Sequence, residues 1–357
     1  MSPADVAFVA RALIGWHARF GRHDLPWQRA RTAYRVWVSE IMLQQTQVAT
    51  VIPYFERFVE RFPDERALAA ATLDEVLHLW SGLGYYARAR NLHRAATRIQ
   101  AELGGHFPTE FADIASLPGI GRSTAGAILA LTRGERHPIL DGNVRRVLAR
   151  YFGIEGDPAS PEVIELLWRY AGECTPHAEV ETYTQAIMDL GATLCTRRRP
   201  RCAACPLAER CYARHAGRQD AIPAPRVRGR RSSRCAFFLL ARRADGSILL
   251  TRRPEQGVWG GLWCLPEFGE EREASAFASR TFGSDPGAPR ALESFRHAFT
   301  HFDLTITPLY VDCVREADTV REPSADFVWY NPREPVPLGL PAPVHLLIER
   351  LTGETGT

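Results

Sequence analysis

Lysine is missing altogether: the 44 residues of the combined lysine and arginine count are all arginine. Chemistry that passes through a Schiff base on a lysine amine is thereby excluded, because its nucleophile does not exist. Long apolar runs are missing too. No stretch of about 18 apolar residues occurs, so no membrane span is expected. The N-terminal segment carries Arg11, Arg19 and Arg22 within amphipathic sequence, without the apolar core and small-residue cleavage site of an export signal. These absences point to a soluble, intracellular protein. The 8 cysteines are too sparse for a disulfide scaffold. Four of them nevertheless crowd into positions 195–211, which suggests a metal centre.

With 357 residues and 45% hydrophobic content, the chain can build cores for roughly two to three domains of about 150 residues each. The net charge of +3 is small but unevenly placed, since residues 196–234 hold 12 arginines against 2 acids. Up to about residue 215 apolar residues recur at helical spacing: Val6, Val9, Leu13 and Trp16, then Val38, Ile41, Val48, Ile52 and Phe55, then Leu73, Val76, Leu77 and Trp80. Turn signals at Leu25-Pro26, Phe62-Pro63-Asp64, Gly104-Gly105 and Asp157-Pro158 separate them. A mostly α region over 1–215 is expected, then a basic linker over 216–234 whose arginine-rich composition buries little. From Cys235 the period changes to that of strands. Cys235–Leu240 and Ile248–Thr251 flank the turn signal Ala244-Asp245-Gly246-Ser247 and predict a hairpin. Phe299 to Ile306 alternates at period two and Phe327–Tyr330 is another strand candidate, so 235–357 reads as α+β.

Cys195, Cys202, Cys205 and Cys211 follow C-x6-C-x2-C-x5-C. Four thiolates in one loop can hold a tetrahedral zinc or a [4Fe–4S] cluster; a single C-x2-C knuckle, instead of the usual two, favours the cluster. Arg197, Arg198, Arg199 and Arg201 lie between the ligands and would face an anionic partner, for which a phosphate backbone is the natural candidate. Leu117-Pro118-Gly119-Ile120-Gly121 places a Gly-x-Gly turn directly before a helix, where Gly119 and Gly121 permit close backbone approach to a phosphate. The same turn also serves a plain helix–turn–helix connection.

Two acids stand out. Glu40 is embedded in the apolar run Val36 to Leu43, where partial burial would raise its pKa and suit a general acid; the alternative is a solvated helix face. Asp141, before Gly142-Asn143-Val144, is placed as a helix N-cap. Two separated carboxyls, one protonated and one ionised, are what cleavage of a glycosidic bond through an oxocarbenium-like state requires.

Together these segments, with Leu25-Pro26-Trp27, Ser39 to Gln47, Gly82-Leu83-Gly84-Tyr85-Tyr86, Leu117 to Gly126 and Leu140-Asp141-Gly142-Asn143 in this order, resemble the helix-hairpin-helix DNA glycosylase superfamily and its MutY-type adenine glycosylases. The resemblance implies a six-helix barrel with a [4Fe–4S] module, acting as a monomer on double-stranded DNA in which adenine faces 8-oxoguanine or guanine. It places the protein in the cytoplasm with the nucleoid, upstream of other repair enzymes. Glu40 would protonate adenine N7 and Asp141, with Asn143 nearby, would stabilise the sugar cation. Gln45 and Tyr85 would wedge into the duplex while the target nucleotide is flipped out. Trp27, Gln28 and Gln185 would line the adenine pocket, and Gly119, Gly121 and Arg145 would contact DNA. Of the two adjacent tyrosines only one can point outward. Ser123 stands where the resembling endonuclease III branch has the lysine of strand cleavage, so a monofunctional glycosylase is expected.

Residues 235–357 resemble a Nudix domain with an eroded catalytic box. Gly261 and Glu267 fit its beginning, but Ser275, Ala276, Ser279 and Arg280 replace the Arg-Glu and paired metal-binding Glu positions. Without those carboxylates no Mg²⁺ cage forms. The resemblance implies a recognition module that contacts 8-oxoguanine through Phe299, Thr300 and His301. Glycosylases for another mispaired base such as thymine, and a non-catalytic iron–sulfur lesion sensor, are the competing readings. The Nudix-like domain argues against the first, and intact Glu40 and Asp141 against the second.

Overall fold

The structure is a computed structural model that describes residues 3–224, 231–282, 289–313 and 326–353. The chain divides into two compact units, residues 1–70 with 91–228 and residues 71–90 with 229–357. Residues 225–230, within the basic segment expected to act as linker, lie outside the described residues.

The first unit is helical. α1 (Pro3–Phe20), α2 (Ala33–Leu43), α3 (Val48–Arg61) and α4 (Glu65–Ala70) precede α5 (Leu73–Trp80), which belongs to the other unit, and α6 (Ala87–Glu102), which straddles the division at residue 90. Then come α7 (Phe111–Ser116), α8 (Arg122–Arg133), α9 (Gly142–Phe152), α10 (Pro161–Cys174), α11 (Val180–Thr193) and α12 (Tyr212–His215). The periodicity translates into packing: Val9 and Leu13 of α1 join Val144, Leu148, Leu167, Ile187 and Leu190 in one core around α9 and α11. A leucine fully removed from water contributes about 1.5–3 kcal/mol, so this cluster is what orders α9, the helix that Asp141 precedes.

Two expected continuities are interrupted. The apolar pattern from Val38 to Phe55 reads as one helix, but the chain breaks over Gln44–Gln47 between α2 and α3, with Gln45 at a φ of +58°. Similarly, Phe299 does not begin a strand. β6 (Phe295–Ala298) and β7 (Phe302–Cys313) pair antiparallel, and Phe299–His301 form the tip between them, closed by Phe299 N donating to Phe302 O at 2.9 Å.

In the second unit β1 (Ser232–Arg243) is central. It runs parallel to β7 along its whole length and antiparallel to β2 (Ile248–Arg252) and β4 (Glu267–Phe268). β3 (Trp263–Cys264) and β8 (Phe327–Tyr330) extend the β2 side and β5 (Arg290–Ala291) the β7 side. The predicted hairpin is present, its turn set by Gly246 at φ +90° and by Ser247 N donating to Asp245 Oδ1 at 2.8 Å. α13 (Glu271–Phe282) covers the sheet with Ala274, Ala278 and Phe282 against Leu239, Leu249 and Leu309. α14 (Ala342–Thr352) follows. Among the described residues no helix is long and apolar enough to cross a membrane.

Candidate active site

α2 is apolar on nearly every side, with Trp37, Val38, Ile41 and Met42 all buried, and such a helix can only sit inside a core. Glu40 is carried into that environment and is half-buried. Removal from water, reinforced by the charge of Asp141, pushes its pKa up to about 8. The solvated-face alternative is thus overturned, and Glu40 holds a proton near neutrality.

Asp141 is the N-cap of α9, its Oδ1 accepting from Val144 N at 2.7 Å. Burial raises its pKa as well, but the Val144 and Asn143 N–H groups and the Arg146 charge oppose the rise. Asn143 Nδ2 donates to Asp141 Oδ2 at 3.4 Å, and Arg146 donates to Asn143 Oδ1 at 2.8 Å, to Gly191 O at 2.7 Å and to Cys195 O at 2.6 Å. Arg146 thereby couples the start of α9 to the first cysteine, a role that its i+3 spacing from Asn143 only hints at.

The hydroxyl of Ser123, in the first turn of α8, accepts from Leu140 N at 2.9 Å. Ser123 therefore anchors the residue before Asp141. Of the expected base-pocket residues, Trp27 is buried edge-on to Phe55 with ring centroids 5.4 Å apart. Gln28 donates from Nε2 to Arg22 O at 2.9 Å and accepts from Leu25 N at 3.1 Å, holding the 22–28 loop closed. Gln185 is buried on α11 and donates to Asp189 Oδ1 at 3.0 Å. The sequence motifs do not reveal His17, Arg22 and Asp189, although Asp189 lies one helical turn beyond Gln185 on the same face.

The hairpin α7–turn–α8 is as the Gly-x-Gly signal predicts. Gly119 has φ +81° and a Cβ there would lie 2.8 Å from Asn91 Cβ, so only glycine fits; Gly121 is the N-cap of α8. Arg145 donates to Pro158 O at 3.2 Å and, with Arg146, Arg150, Arg197 and Arg198, walls a cavity of about 560 Å³. Gln45 is exposed, at a left-handed φ that a non-glycine residue adopts only under constraint.

The four cysteines border one small cavity in the first unit, so the fold brings the loop's donors together. No three His, Cys, Asp or Glu side chains among the described residues gather closely enough for one metal ion. Burial pushes the Cys205 thiol up to about 12 and raises Cys211 too, so their thiolates require the positive charge that iron would supply. Arg150 is buried beside them and donates to Cys195 Sγ at 3.3 Å, Thr196 O at 2.7 Å and Ile222 O at 2.9 Å. Arg197, Arg198, Arg199 and Arg201 line the loop, Arg197 to Arg199 and Arg201 being open to solvent to differing degrees.

Within the second unit the tyrosine pair resolves. Tyr86 is buried, with its hydroxyl donating to Leu340 O at 3.3 Å, while Tyr85 is 45% exposed and has φ +50°. The Tyr85 hydroxyl lies 3.1 Å from Thr300 Oγ1. Phe299 stacks on Phe302 at 4.5 Å and packs against Trp259, leaving Thr300 and His301 as the exposed members of the tip. Ser275, Ala276, Ser279 and Arg280 all fall on α13, where the helix carries no paired acids in their place.

Residues 38–173 match the HhH-GPD superfamily of base excision DNA repair proteins, 195–211 the iron–sulfur binding domain of endonuclease III, and 237–350 the NUDIX domain. An adenine DNA glycosylase of Buchnera aphidicola subsp. Acyrthosiphon pisum (strain APS) is 38% identical over 340 residues, covering 95% of this chain and 96% of that one. The chain belongs to the adenine DNA glycosylase family. The human adenine DNA glycosylase is 36% identical over 363 residues, covering 85% of this chain and 66% of that one. A thermostable thymine-DNA glycosylase shares the fold with a TM-score of 0.54 and 24% identity, covering 60% of this chain and 98% of that one. In this adenine DNA glycosylase homologue the cysteine loop is accordingly an iron–sulfur site, and the C-terminal sheet is a Nudix-like domain.

Proposed function

We propose that this glycosylase hydrolyses the N-glycosidic bond of adenine mispaired with 8-oxoguanine or guanine in double-stranded DNA, and that it does so as a monofunctional enzyme. The observation that carries the proposal is Glu40 on the buried helix α2, its pKa pushed up to about 8 by burial and by the charge of Asp141, the N-cap of α9. Glu40 donates its proton to N7 of the flipped adenine, which leaves as a neutral base, and the resulting Glu40 carboxylate helps activate water. Asp141, ionised and hydrogen-bonded, stabilises the positive charge on the sugar, with Asn143 and the Ser123–Leu140 contact keeping it in place. Because position 123 is a hydroxyl and the chain has no lysine, no side-chain amine attacks the sugar.

The fold supports the remaining assignments. Trp27 and Gln185 are buried as base-pocket residues should be, and exposed Gln45 and Tyr85 suit wedges that replace lost stacking. Gly119, Gly121 and the arginine-walled cavity around Arg145 suit phosphate contacts. Cys195, Cys202, Cys205 and Cys211 would hold a [4Fe–4S] cluster, and Arg146 and Arg150 tie their loop to α9. Residues 1–215 serve as the catalytic domain and 235–357 as the module that reads 8-oxoguanine through Thr300 and His301, with Phe299 anchoring the tip; the basic segment between them is shorter than the expected 216–234, because Ile222 is buried in the helical core and β1 already begins at Ser232. The protein acts as a cytoplasmic, nucleoid-associated monomer ahead of other repair enzymes.

Labelled duplexes carrying A opposite 8-oxoguanine, A opposite G, and T opposite G, read with and without alkali, test this directly. Strand breaks that need alkali and occur only in the adenine duplexes are expected. Breaks without alkali would overturn the monofunctional assignment, and excision of thymine would overturn the substrate.

A further inference from the structure

A further carboxylate lies on the helix face that carries Gln185, one turn on. Asp189 has no exposed surface. Its Oδ1 accepts from Gln185 Nε2 at 3.0 Å and from Arg22 Nε at 2.9 Å; its Oδ2 accepts from Arg22 N at 2.8 Å and lies 3.6 Å from His17 Nε2. A buried ion persists only where donors surround it, and here Arg22 supplies both a guanidinium and a backbone N–H. Burial alone would push Asp189 up, but the nearby His17 imidazole and the Arg22 hydrogen bonds hold it below the usual carboxylate range.

The consequence for Gln185 is chemical. An ionised carboxylate only accepts, so the Gln185 amide nitrogen must face Asp189 and its carbonyl oxygen must face away. That oxygen has no hydrogen-bond partner among the described residues and retains accessible surface. Arg22 also fixes the other amide of the expected pocket: Gln28 donates to Arg22 O and accepts from Leu25 N, so both of its ends are engaged locally. Gln185 Oε1 is left as the oriented acceptor.

We propose that Asp189, clamped by Arg22, is a positioning residue that holds the Gln185 amide with its oxygen outward, so that the site selects a purine with a 6-amino donor over one with a 6-oxo acceptor. The inference rests on the adenine-excision reading. It is tested with the full, cluster-loaded protein by single-turnover excision of adenine, hypoxanthine or unsubstituted purine opposite 8-oxoguanine. In Asp189→Asn the partner of Gln185 has both a donor and an acceptor, the amide is released to turn over, and the adenine-to-hypoxanthine rate ratio should fall about tenfold or more. A merely structural loss would slow all three substrates alike. Gln185→Met keeps the Arg22–Asp189 pair intact, which guards against misfolding of the first variant, and should lower the same ratio. A ratio within about threefold of the unmodified protein's in either folded variant overturns the proposal. Adenine excision by the unmodified protein with an unmoved ratio in the variants sinks this inference alone. Absence of adenine excision from the unmodified protein removes the functional reading and this inference with it.

Discussion

Replacing Glu40 by glutamine should abolish excision and at the same time make the protein more stable, by an amount that grows with pH. The native carboxyl keeps its proton up to about pH 8, whereas the same group in the unfolded chain releases it near 4.5. Between those values the native state binds more protons than the unfolded state, so stability falls as pH rises. At about 1.4 kcal/mol per pH unit, the penalty is below about 1 kcal/mol at pH 5 and reaches about 3 kcal/mol at pH 7. Glu40→Gln has no proton to lose and escapes the penalty, so its advantage over the unmodified protein should widen by about 2–3 kcal/mol from pH 5 to pH 7. For a domain of this size that corresponds to a gap in melting temperature that widens by about 4–12 °C. Parallel thermal unfolding at the two pH values, followed by far-ultraviolet circular dichroism, measures it. A gap that does not change with pH, or a variant that loses ground as pH rises, would refute the burial argument and with it the protonated state of Glu40. The same pKa requires excision by the unmodified protein to decline as pH rises through about 8.

Ser123→Ala leaves the Leu140 N–H without its partner; a loss of about 1–2 kcal/mol in chemical denaturation and slower single-turnover excision are expected, since Asp141 follows directly. In Gly191→Ala the new methyl would lie 2.6 Å from Asn143 Cβ and 3.1 Å from its backbone, forcing α9 and α11 apart. This variant should lose about 1–3 kcal/mol and much of its rate, while Gly172→Ala in α10, where nothing lies within 4 Å, should be stable or gain up to about 1 kcal/mol. Cys205→Ser should lose iron, measured by metal analysis, and bind duplex DNA more weakly; full iron retention would exclude Cys205 as a ligand.

Much of this architecture is legible without coordinates because the signals are local. Apolar spacing in α1 and α5, the Asp245-Gly246 turn and the cap position of Asp141 each depend on residues a few positions apart, where backbone geometry and hydrogen-bond chemistry leave few choices. Elsewhere local signals mislead. The break at Gln44–Gln47 has no proline or glycine to announce it, and Gln45 itself takes the left-handed conformation. The tip at Phe299–His301 continues the strand alternation because Phe299 is drawn into an aromatic cluster even though the chain is already reversing there. The Arg22–Asp189–Gln185 network joins residues 167 positions apart, and no spacing rule reaches that far.

The sequence by itself determined what the chemistry could use: no lysine amine, four clustered thiols, two carboxyls in the right company, and a Nudix-type box stripped of its acids. Those are statements about which functional groups exist, and composition and order suffice for them. Only the tertiary structure decided the states of these groups. The Glu40 pKa is pushed up because α2 is buried and the charge of Asp141 acts on it, Ser123 anchors Leu140 because α8 packs there, and the Gln185 amide has one orientation because a buried, ionised Asp189 accepts and cannot donate. Protonation and hydrogen-bond direction depend on local dielectric and on neighbours distant in sequence, and these come into being only when the chain is folded.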